Sequence, residues 1–598
     1  MSLILLLLFL SLIPAMYVSS IMRPPIILII WSVLSCLSNA SIWPAPSSMT
    51  VGSSPLWITN NVSFTYHPGS STYFSRISKI NSVIIINEAI ARTRKNIFLQ
   101  NFVPWKLHPR NTISEFEPDA HTSRIYISQV IITQTDTDNE TAFRPLAGQV
   151  DESYTISISD NGTSEITAAS YHGVLYALES FSQLFYQHSS GTGFYTNLAP
   201  VKIVDNPKFP HRGLNLDVAR SWFPVKSILN MIDALAINKF NRLHLHITDS
   251  QSWPLEIQSM PELAEKGAYM TGLSYSANDL TRIHDHGLRR GVEVILEVDM
   301  PGHTTSIGYA YPELIAGFAA TPWYTYCAEP PCGSLKLNSP AVTSFVEKML
   351  ADIIPRVSPY SAYFHTGGDE VNKNVYLLDE TIQSNDTSIL TPLLQNFVSR
   401  NHDQLRKSGI TPIVWEEMAL DWNLTLGSDV IVQVWLSSES IAKVTSKGLK
   451  VLAGDYKNWY LDCGLGQWLN IDNGKSFQKY YPFVDYCAPH KNWRLIYAYD
   501  PLSGIPEEQH NLVLGGEVHI WAEQVDPVNL ETMVWPRAAA AGEVLWSGRQ
   551  DVNGQNRSQI EAAPRLAEWR ERMVHRGISA NPIQMIYCTQ ADGKECSL

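Results

Sequence analysis

The chain has 598 residues, of which 45% are hydrophobic and 17% are charged, a balance that supports a large folded core and argues against disorder. Its formal net charge is −13 and it contains no Lys/Arg-rich run, which argues against nucleic acid as a partner. Because an α/β barrel commonly occupies about 200–250 residues or more as one unit, we expect two domains.

The N-terminal segment 1–40 is predicted to be a signal segment. Two apolar runs, 3–13 and 26–34, flank residues 22–25, and neither is long enough for a membrane span. From Met22 the chain shows one basic residue, an apolar core and small residues up to Ala40, so we expect cleavage after Ala40. The stretch before Met22 contains no basic residue, which makes Met22 an alternative start. A signal anchor is the alternative to cleavage.

The cysteines and glycosylation sequons predict an oxidising compartment. Six cysteines remain once Cys36 leaves with the signal, and the sequence alone leaves their pairing open. We expect local bridges Cys327–Cys332 and Cys588–Cys596, and therefore Cys463–Cys487. A secreted protein is favoured, with a lysosome- or vacuole-like lumen or the cell-wall space as the alternative. The N-x-S/T sequons expected to carry glycans are Asn61, Asn139, Asn161, Asn385, Asn423 and Asn556.

Residues 41–205 are predicted to form a smaller α+β domain. Alternation of polar and apolar residues indicates strands at 62–66, 125–133 and 154–158, and apolar residues at helical spacing indicate a helix over 170–186. Prolines at 207 and 210 then punctuate the chain, which is typical of a domain boundary.

Residues 206–598 are predicted to form a (β/α)₈ TIM barrel with a C-terminal helix and tail, so the fold class is α/β. Short apolar segments alternate with stretches of helical period such as 225–237, 342–353 and 393–407. An open, doubly wound sheet is the alternative. The eight predicted strands are 213–218, 242–247, 292–298, 362–365, 412–415, 430–435, 450–453 and 514–520.

Two adjacent carboxylates, Asp369 and Glu370, follow a Gly-Gly pair at the end of the fourth predicted strand. Active sites of such barrels lie at the C-terminal ends of the strands. Neighbouring Cα atoms are only about 3.8 Å apart and their side chains point to different sides in a strand. We therefore do not expect this pair to flank a scissile bond together, although it suggests acid–base chemistry.

His244 and His246 admit a second interpretation. An H-x-H pair at a strand end could bind a metal, with His303, Asp299 or Asp369 as further ligands in a metal-dependent hydrolase. The less specific interpretation, one histidine in the barrel wall and one in a hydrogen-bond relay, is favoured. No Cys-x-x-Cys pair, phosphate-binding glycine loop or G-x-S-x-G elbow points to other chemistry.

Three tryptophans, Trp415, Trp435 and Trp521, lie at predicted strand ends among Asp, Glu and Arg residues. A single tryptophan there would be ordinary core. Three together favour a saccharide site, because aromatic rings pack on the C–H faces of a pyranose while carboxylates and arginine bind its hydroxyls.

Four long motifs give the chain its resemblance to family 20 glycoside hydrolases, the β-N-acetylhexosaminidases, and most of all to their secreted fungal branch. The resemblance covers nearly all of the mature chain. The motifs are 213–220, 244–254, 297–303 and 365–370, followed by 415–417, 459–462, 515–517 and 521–523.

The resemblance implies exo-hydrolysis of terminal non-reducing β-linked N-acetyl-D-hexosamine from chito-oligosaccharides or glycoconjugates. The sugar would be GlcNAc, and GalNAc as well. It implies a retaining mechanism in which the substrate's own 2-acetamido group is the nucleophile and an oxazolinium ion is the intermediate, an exception to the usual two-carboxylate scheme.

The family's roles fall on particular residues of this chain. Glu370 would be the general acid and then the base, kept protonated by burial near other carboxylates. Asp369 would orient the acetamido N–H, Tyr460 would bind its carbonyl oxygen, and His303 and Asp249 would form a relay behind Glu370. The substrate-binding residues would be Arg220, His246, Trp415, Trp435, Asp462, Trp521 and Glu523.

The same resemblance implies that the domain 41–205 is non-catalytic, that there is no cofactor and no metal, and that a homodimer can be expected. Signal cleavage would leave no stable membrane insertion. A sugar-binding protein that has lost catalysis is a further alternative, although the intact Asp369-Glu370 pair argues against it. Residues 462–494 do not align with the family pattern, and we expect an insertion there to lie near the site entrance.

Overall fold

The computed structural model describes residues 41–69, 80–469, 483–591 and 595–596. The predicted signal segment, 1–40, lies outside them. Within the described ranges, no helix has both the length and the hydrophobicity that a bilayer crossing requires.

The N-terminal part forms a six-stranded sheet in the order β1-β2-β4-β3-β6-β5, with β1 also paired to β6. Buried and exposed residues alternate along β3 and β4, as expected for a sheet with one face on a core. The helices Ser82–Phe98 and Tyr171–Gln183 pack on that face and contribute residues to the core. The strands are β1 Ser48–His67, β2 Tyr126–Gln134, β3 Tyr154–Ile158, β4 Thr163–Ala168, β5 Tyr186–Gln187 and β6 Phe194–Asp205.

The rest of the chain closes a parallel eight-stranded barrel in the order β12-β13-β14-β15-β16-β7-β8-β9, which confirms the predicted fold. Most of its strand residues are buried, which explains the continuous apolar runs in the sequence. Two short strands, β10 Ile315–Ala316 and β11 Ser334–Leu335, pair with each other outside the barrel. The barrel strands are β7 His211–Asp217, β8 Arg242–Thr248, β9 Glu293–Val298, β12 Tyr363–His365, β13 Thr411–Trp415, β14 Ile431–Gln433, β15 Lys450–Ala453 and β16 Val513–Ile520.

Helices connect the barrel strands. Val225–Ile237 has the predicted bounds, whereas Pro340–Val357 begins earlier, because the Ser339 side chain caps it and a proline occupies its first position. The remaining α-helices of the described residues are Ile113–Phe116, Glu262–Gly267, Ala277–Leu288, Trp323–Tyr326, Thr387–Lys407, Glu416–Leu420, Glu439–Ser446, Trp493–Ala498, Leu530–Val534, Arg537–Ser547, Gln559–His575 and Ile586–Gln590.

Buried ion pairs join the N-terminal sheet to the barrel. Arg212 of β7 lies 2.7 Å from Glu152, and Lys239 lies 3.0 Å from Asp205, with all four side chains almost or entirely buried. A buried charge is tolerated only when it is paired and hydrogen-bonded. These pairs therefore fix how the barrel meets the sheet.

Three disulfides are present, Cys327–Cys332, Cys463–Cys487 and Cys588–Cys596, the pairs expected from spacing. The asparagines of all six sequons are exposed. Glycans could therefore be attached at each of them without opening the core.

Candidate active site

The loop after β12 has a backbone that few residues can adopt. Gly367 and Gly368 have φ of 69° and 110°, and Glu370 has φ of 52°, in the region that favours glycine. A Cβ on Gly367 would lie 1.7 Å from Asp299 Oδ1, and the Gly368 N–H donates to that same oxygen at 2.7 Å. Gly367 therefore allows the chain to pass this close to Asp299, while a Cβ on Gly368 would lie 2.7 Å from Met418 Cγ.

The two carboxylates converge on one histidine. His303 Nε2 lies 3.3 Å from Glu370 Oε2 and 3.9 Å from Asp369 Oδ2. The expectation that the side chains point to different sides was wrong, because it assumed strand geometry and the positive φ of Glu370 breaks it. Both carboxylates therefore face the same cavity.

Glu370 is less buried than the sequence argument assumed. Its side chain is 31% exposed, whereas that of Asp369 is 12% exposed. The protein alone therefore does not bury the carboxylate that was expected to be the acid, and any further burial has to come from a bound sugar.

Asp369 and Asp299 are two buried carboxyl groups that interact directly. Burial first, and then the charges of Asp299 and Glu370, raise the pKa of Asp369 well above its ordinary value. Burial is also the main reason that the pKa of Asp299 rises to about 6. Two carboxylates in contact share a proton. A hydrogen bond donated by a group such as an amide N–H would therefore stabilise the ionised form of Asp369.

A relay extends behind Glu370. His303 Nδ1 lies 3.1 Å from Asp249 Oδ1, and Asp249 Oδ2 lies 2.7 Å from His246 Nε2. Burial disfavours a charged His303, but Asp249, Asp369 and Asp299 outweigh burial and raise its pKa well above the ordinary value. The imidazole next to Glu370 is therefore held as a cation.

Each ring nitrogen of His244 and His246 contacts a carboxylate. The two nitrogens of His244 contact Glu297 and Glu517, each at 3.0 Å. Those of His246 contact Glu297 at 2.5 Å and Asp249 at 2.7 Å. This arrangement favours the relay over the metal-dependent alternative, because a metal ligand needs a free nitrogen lone pair.

A cavity of ≈ 570 Å³ opens in front of the carboxylates. Trp435 and Tyr460 lie nearly parallel on its wall, with ring centroids 6.4 Å apart and an interplanar angle of 15°, and Trp521 lies beside them. The Trp435 indole N–H donates to both oxygens of Glu417 at 3.1 Å. These rings form an apolar wall suited to the face of a sugar or an acetamide methyl group.

Two residues expected at the substrate do not lie on the cavity surface. Trp415 is fully buried, packs on Trp521 and donates its indole N–H to Glu297 Oε1 at 2.8 Å. His246 is likewise buried between Asp249 and Glu297. Both point into the barrel interior below the cavity, where they contact Glu297, because the inward-facing residues of a barrel strand alternate with residues that face the helices.

Polar groups line another part of the cavity. Arg220, Asp462 and Glu523 lie there as expected, and the Arg220 guanidinium lies 5.1 Å from the Trp521 ring. Burial is the main cause that raises the pKa of Asp462 to about 7 and that of Glu523 well above its ordinary value. Carboxyl groups and a guanidinium arranged in this way can bind several hydroxyl groups of one sugar.

Sequence reasoning missed Glu329. Its carboxylate lies 2.5 Å from Arg220 Nη2 at the cavity. No family motif includes it, but it lies between Cys327 and Cys332, whose disulfide holds the segment in place. The predicted bridge was the one signal that could have drawn attention to it.

The region that departed from the family pattern reaches the cavity. Trp468 and Tyr486 line it, on either side of residues 470–482, which lie outside the described ranges, and within the loop that the Cys463–Cys487 bridge closes. Tyr486 packs on Tyr456 with ring centroids 5.8 Å apart. The disulfide-closed segment therefore forms part of the cavity wall, near the place where an insertion was expected.

Comparisons with known proteins agree with this geometry. Residues 209–549 match the model of the glycosyl hydrolase family 20 catalytic domain, and residues 42–184 match the beta-acetyl hexosaminidase like domain. A beta-hexosaminidase of Arthroderma benhamiae is 43% identical over 92% of this chain and 96% of its own length. The human beta-hexosaminidase subunit beta is 32% identical over 93% of this chain and 91% of its own length.

Solved structures share the fold. The family 20 β-N-acetylhexosaminidase of Streptomyces coelicolor aligns with a TM-score of 0.65 and 23% identity, over 91% of this chain and 97% of that one. A Flavobacterium johnsoniae chitobiase gives a TM-score of 0.68 and 24% identity, over 90% and 73% of the two chains. Because the family model matches more than half of its length and the two relatives named above align along nearly their whole length, this chain belongs to glycosyl hydrolase family 20.

Proposed function

We propose that Glu370 and Asp369 catalyse the exo-hydrolysis of terminal, non-reducing β-linked N-acetyl-D-hexosamine by substrate-assisted retention. The enzyme is a glycosidase of the β-N-acetylhexosaminidase type. One observation carries the assignment of roles: both carboxylates face the cavity and approach the same imidazole, at 3.3 and 3.9 Å. The more exposed side chain, Glu370, is suited to proton transfer, and the more buried one, Asp369, is suited to binding a substrate group.

In the first step Glu370 donates its proton to the glycosidic oxygen as the bond to C1 breaks. The acetamido carbonyl oxygen forms the new bond to C1 and gives the oxazolinium ion. Asp369 accepts the acetamido N–H, which positions the nucleophile and offsets its growing positive charge. Tyr460, buried in the wall beside Trp435, donates its phenolic O–H to the carbonyl oxygen.

In the second step Glu370 takes a proton from water, whose oxygen attacks C1 and opens the oxazolinium ring. Two inversions at C1 give net retention of configuration. His303, held by Asp249 at 3.1 Å, stabilises the carboxylate of Glu370 between the two steps. Arg220, Asp462 and Glu523 bind the hydroxyl groups of the terminal sugar, which makes the action exo.

Release of p-nitrophenol from its β-N-acetylglucosaminide tests the two main roles. Glu370→Gln and Asp369→Asn should each lower kcat by about 10²- to 10⁴-fold, the usual contribution of a positioned acid–base group. The exposed Glu508→Gln is the matched control and should keep full activity. Full activity in either active-site variant would refute its role.

A thiazoline that mimics the oxazolinium ring tests substrate assistance. It should inhibit strongly and compete with substrate, because it presents the five-membered ring to Asp369 and Tyr460. Activity that resists this compound but falls with a chelator would favour the metal-dependent hydrolase. Binding of the thiazoline without any turnover of substrate would favour a catalytically inactive sugar-binding protein.

GlcNAc is proposed as the principal sugar, GalNAc as a second, and chito-oligosaccharides or glycoconjugates as the substrates. Two relatives carry names that fit the first class, the chitooligosaccharidolytic beta-N-acetylglucosaminidases of Bombyx mori and Ostrinia furnacalis. Initial rates on the paired p-nitrophenyl glycosides and on chitobiose would rank these substrates.

The location, the domain boundary and the assembly are also proposals. Three disulfides and six exposed sequons support passage through the secretory pathway to the outside or to a lysosome- or vacuole-like lumen. A boundary near residue 206 is supported by the gap between β6 and β7. Light scattering on the purified protein would test a homodimer, and peptide mapping would test signal cleavage after Ala40.

A further inference from the structure

The buried carboxylate of Glu297 on β9 contacts four side-chain nitrogen atoms, which belong to residues of β8, β12 and β13. Its Oε2 lies 2.5 Å from His246 Nδ1 and 3.0 Å from His244 Nε2. Its Oε1 lies 2.9 Å from His365 Nδ1 and accepts the Trp415 indole N–H at 2.8 Å. Glu297 therefore links β8 and β12, which lead into Asp249 and the Asp369-Glu370 loop, with Trp415, the last residue of β13.

A second buried carboxylate, Glu517 on β16, continues this arrangement. It lies 3.0 Å from His244 Nδ1 and 2.7 Å from His211 Nε2, and it accepts from Gln433 Nε2 at 2.9 Å. Gly213 on β7 makes room for it, because a Cβ there would lie 2.7 Å from Glu517 Cγ. His244 therefore bridges the two carboxylates inside the barrel.

An unbroken series of imidazoles and carboxylates follows from these contacts. From the cavity inward it runs Glu370, His303, Asp249, His246, Glu297, His244, Glu517 and His211, with each neighbouring pair between 2.5 and 3.3 Å apart. His303 and Asp249 already have a role in the proposed function, and the five inner members have none.

We propose that Glu297 and Glu517 are positioning residues for catalysis, which act on Glu370 through the buried series of His244, His246, Asp249 and His303. This proposal rests on the role proposed for Glu370. Neither carboxylate reaches the cavity, so neither binds substrate.

The physical reason is that an imidazole between two carboxylates has one favoured orientation. Each of its ring nitrogens then donates to a charged acceptor, and such hydrogen bonds are shorter and stronger than neutral ones. Burial lowers the pKa of His244, but Glu517 and Glu297 outweigh it and raise the pKa to about 9. Alternating charges therefore hold the rings of His244, His246 and His303 at fixed angles, up to the ring that contacts Glu370.

An amide cannot replace the carboxylate of Glu297. A glutamine offers one accepting oxygen and one donating nitrogen, whereas the site contains four groups that donate to Glu297 or interact with its charge. His365 stacks on His244 with ring centroids 4.8 Å apart, and the buried His519 packs on Trp415 with ring centroids 5.8 Å apart. Neither can supply the missing negative charge.

The experiment measures kcat and KM of purified variants on the p-nitrophenyl glycoside, per mole of folded protein. Glu297→Gln should lower kcat by about 100-fold, because a misplacement of about 1 Å at the reacting group has an effect of that size. Glu517→Gln should lower kcat by about tenfold, as removal of an outer supporting group does. KM should change by less than about twofold in both, since the sugar-binding groups stay in place.

The matched control is Glu543→Gln. Glu543 is also a fully buried carboxylate, paired with Arg565 at 2.6 Å, but it contacts no member of the series. It should lower the melting temperature while kcat stays within about twofold of the unchanged enzyme. A loss of kcat like that of Glu297→Gln would show that any buried charge has this effect, and would overturn the proposal.

Coupling to His303 separates this proposal from the proposed function. In a His303→Asn background, where the series is cut next to Glu370, Glu297→Gln should lower kcat by less than about threefold, because effects along one network are not additive. An unchanged 100-fold effect in that background would overturn the proposal and leave the role of Glu370 intact.

If Glu297→Gln does not fold, the neutral Gln433→Met, which removes one hydrogen bond from Glu517, should lower kcat at constant KM, and a rise in KM alone would overturn the proposal.

Discussion

Asp299→Asn should make the protein more stable at neutral pH, although it removes a charge from the active site. Burial raises the pKa of Asp299 from 3.8 to about 6, so the folded protein binds this proton more tightly than the unfolded chain does. Stability is therefore lost as the pH rises from about 4 to about 6. At 1.36 kcal/mol for each pKa unit, the loss is about 3 kcal/mol.

Asparagine avoids this loss because it cannot ionise. Its oxygen can still accept the Gly368 N–H, now 2.7 Å from Asp299 Oδ1, and its amide can donate to Asp369. We expect a melting temperature several degrees above that of the unchanged enzyme at pH 7.5, and a difference close to zero at pH 4. Differential scanning calorimetry at both pH values measures this.

Asp249→Asn serves as a control of opposite sign. Burial raises the pKa of Asp249, but Arg220 and His303 outweigh it and lower the pKa, so the ionised form stabilises the fold. This variant should melt at a lower temperature at both pH values. The reasoning would be refuted if Asp299→Asn melted at or below the temperature of the unchanged enzyme at pH 7.5, or if its advantage persisted at pH 4.

Three further variants test the packing of the site and of the domains. Gly367→Ala should lower kcat at least about 100-fold, since its Cβ would lie 1.7 Å from an oxygen of Asp299. Trp435→Phe should raise KM several-fold with a smaller change in kcat, because it keeps a ring on the wall but removes the N–H that Glu417 accepts. Lys239→Met should destabilise the protein by about 3–5 kcal/mol, seen as a lower melting temperature, because it leaves the buried Asp205 carboxylate without its counter-ion. The KM of this variant should be unchanged, since Lys239 lies outside the cavity.

The barrel strands could be predicted because each is a short apolar run between turns. A parallel strand is covered on both faces, so its sequence carries a strong signal, and 450–453 has the observed bounds. The prediction 430–435 was longer than the observed β14, Ile431–Gln433. The chain leaves the strand there, and Trp435 turns toward the cavity wall.

The sequence by itself determined the family, the (β/α)₈ architecture and the position of Asp369 and Glu370, because these depend on local patterns and on motifs within a few residues of one another. Only the tertiary structure decided that both carboxylates meet at His303, that Trp415 lies behind the wall and that Glu329 reaches Arg220. The same holds for the series that passes through Glu297. These relations join groups that lie far apart along the chain, and they depend on backbone angles, such as φ of 52° at Glu370, and on which face of each strand turns inward.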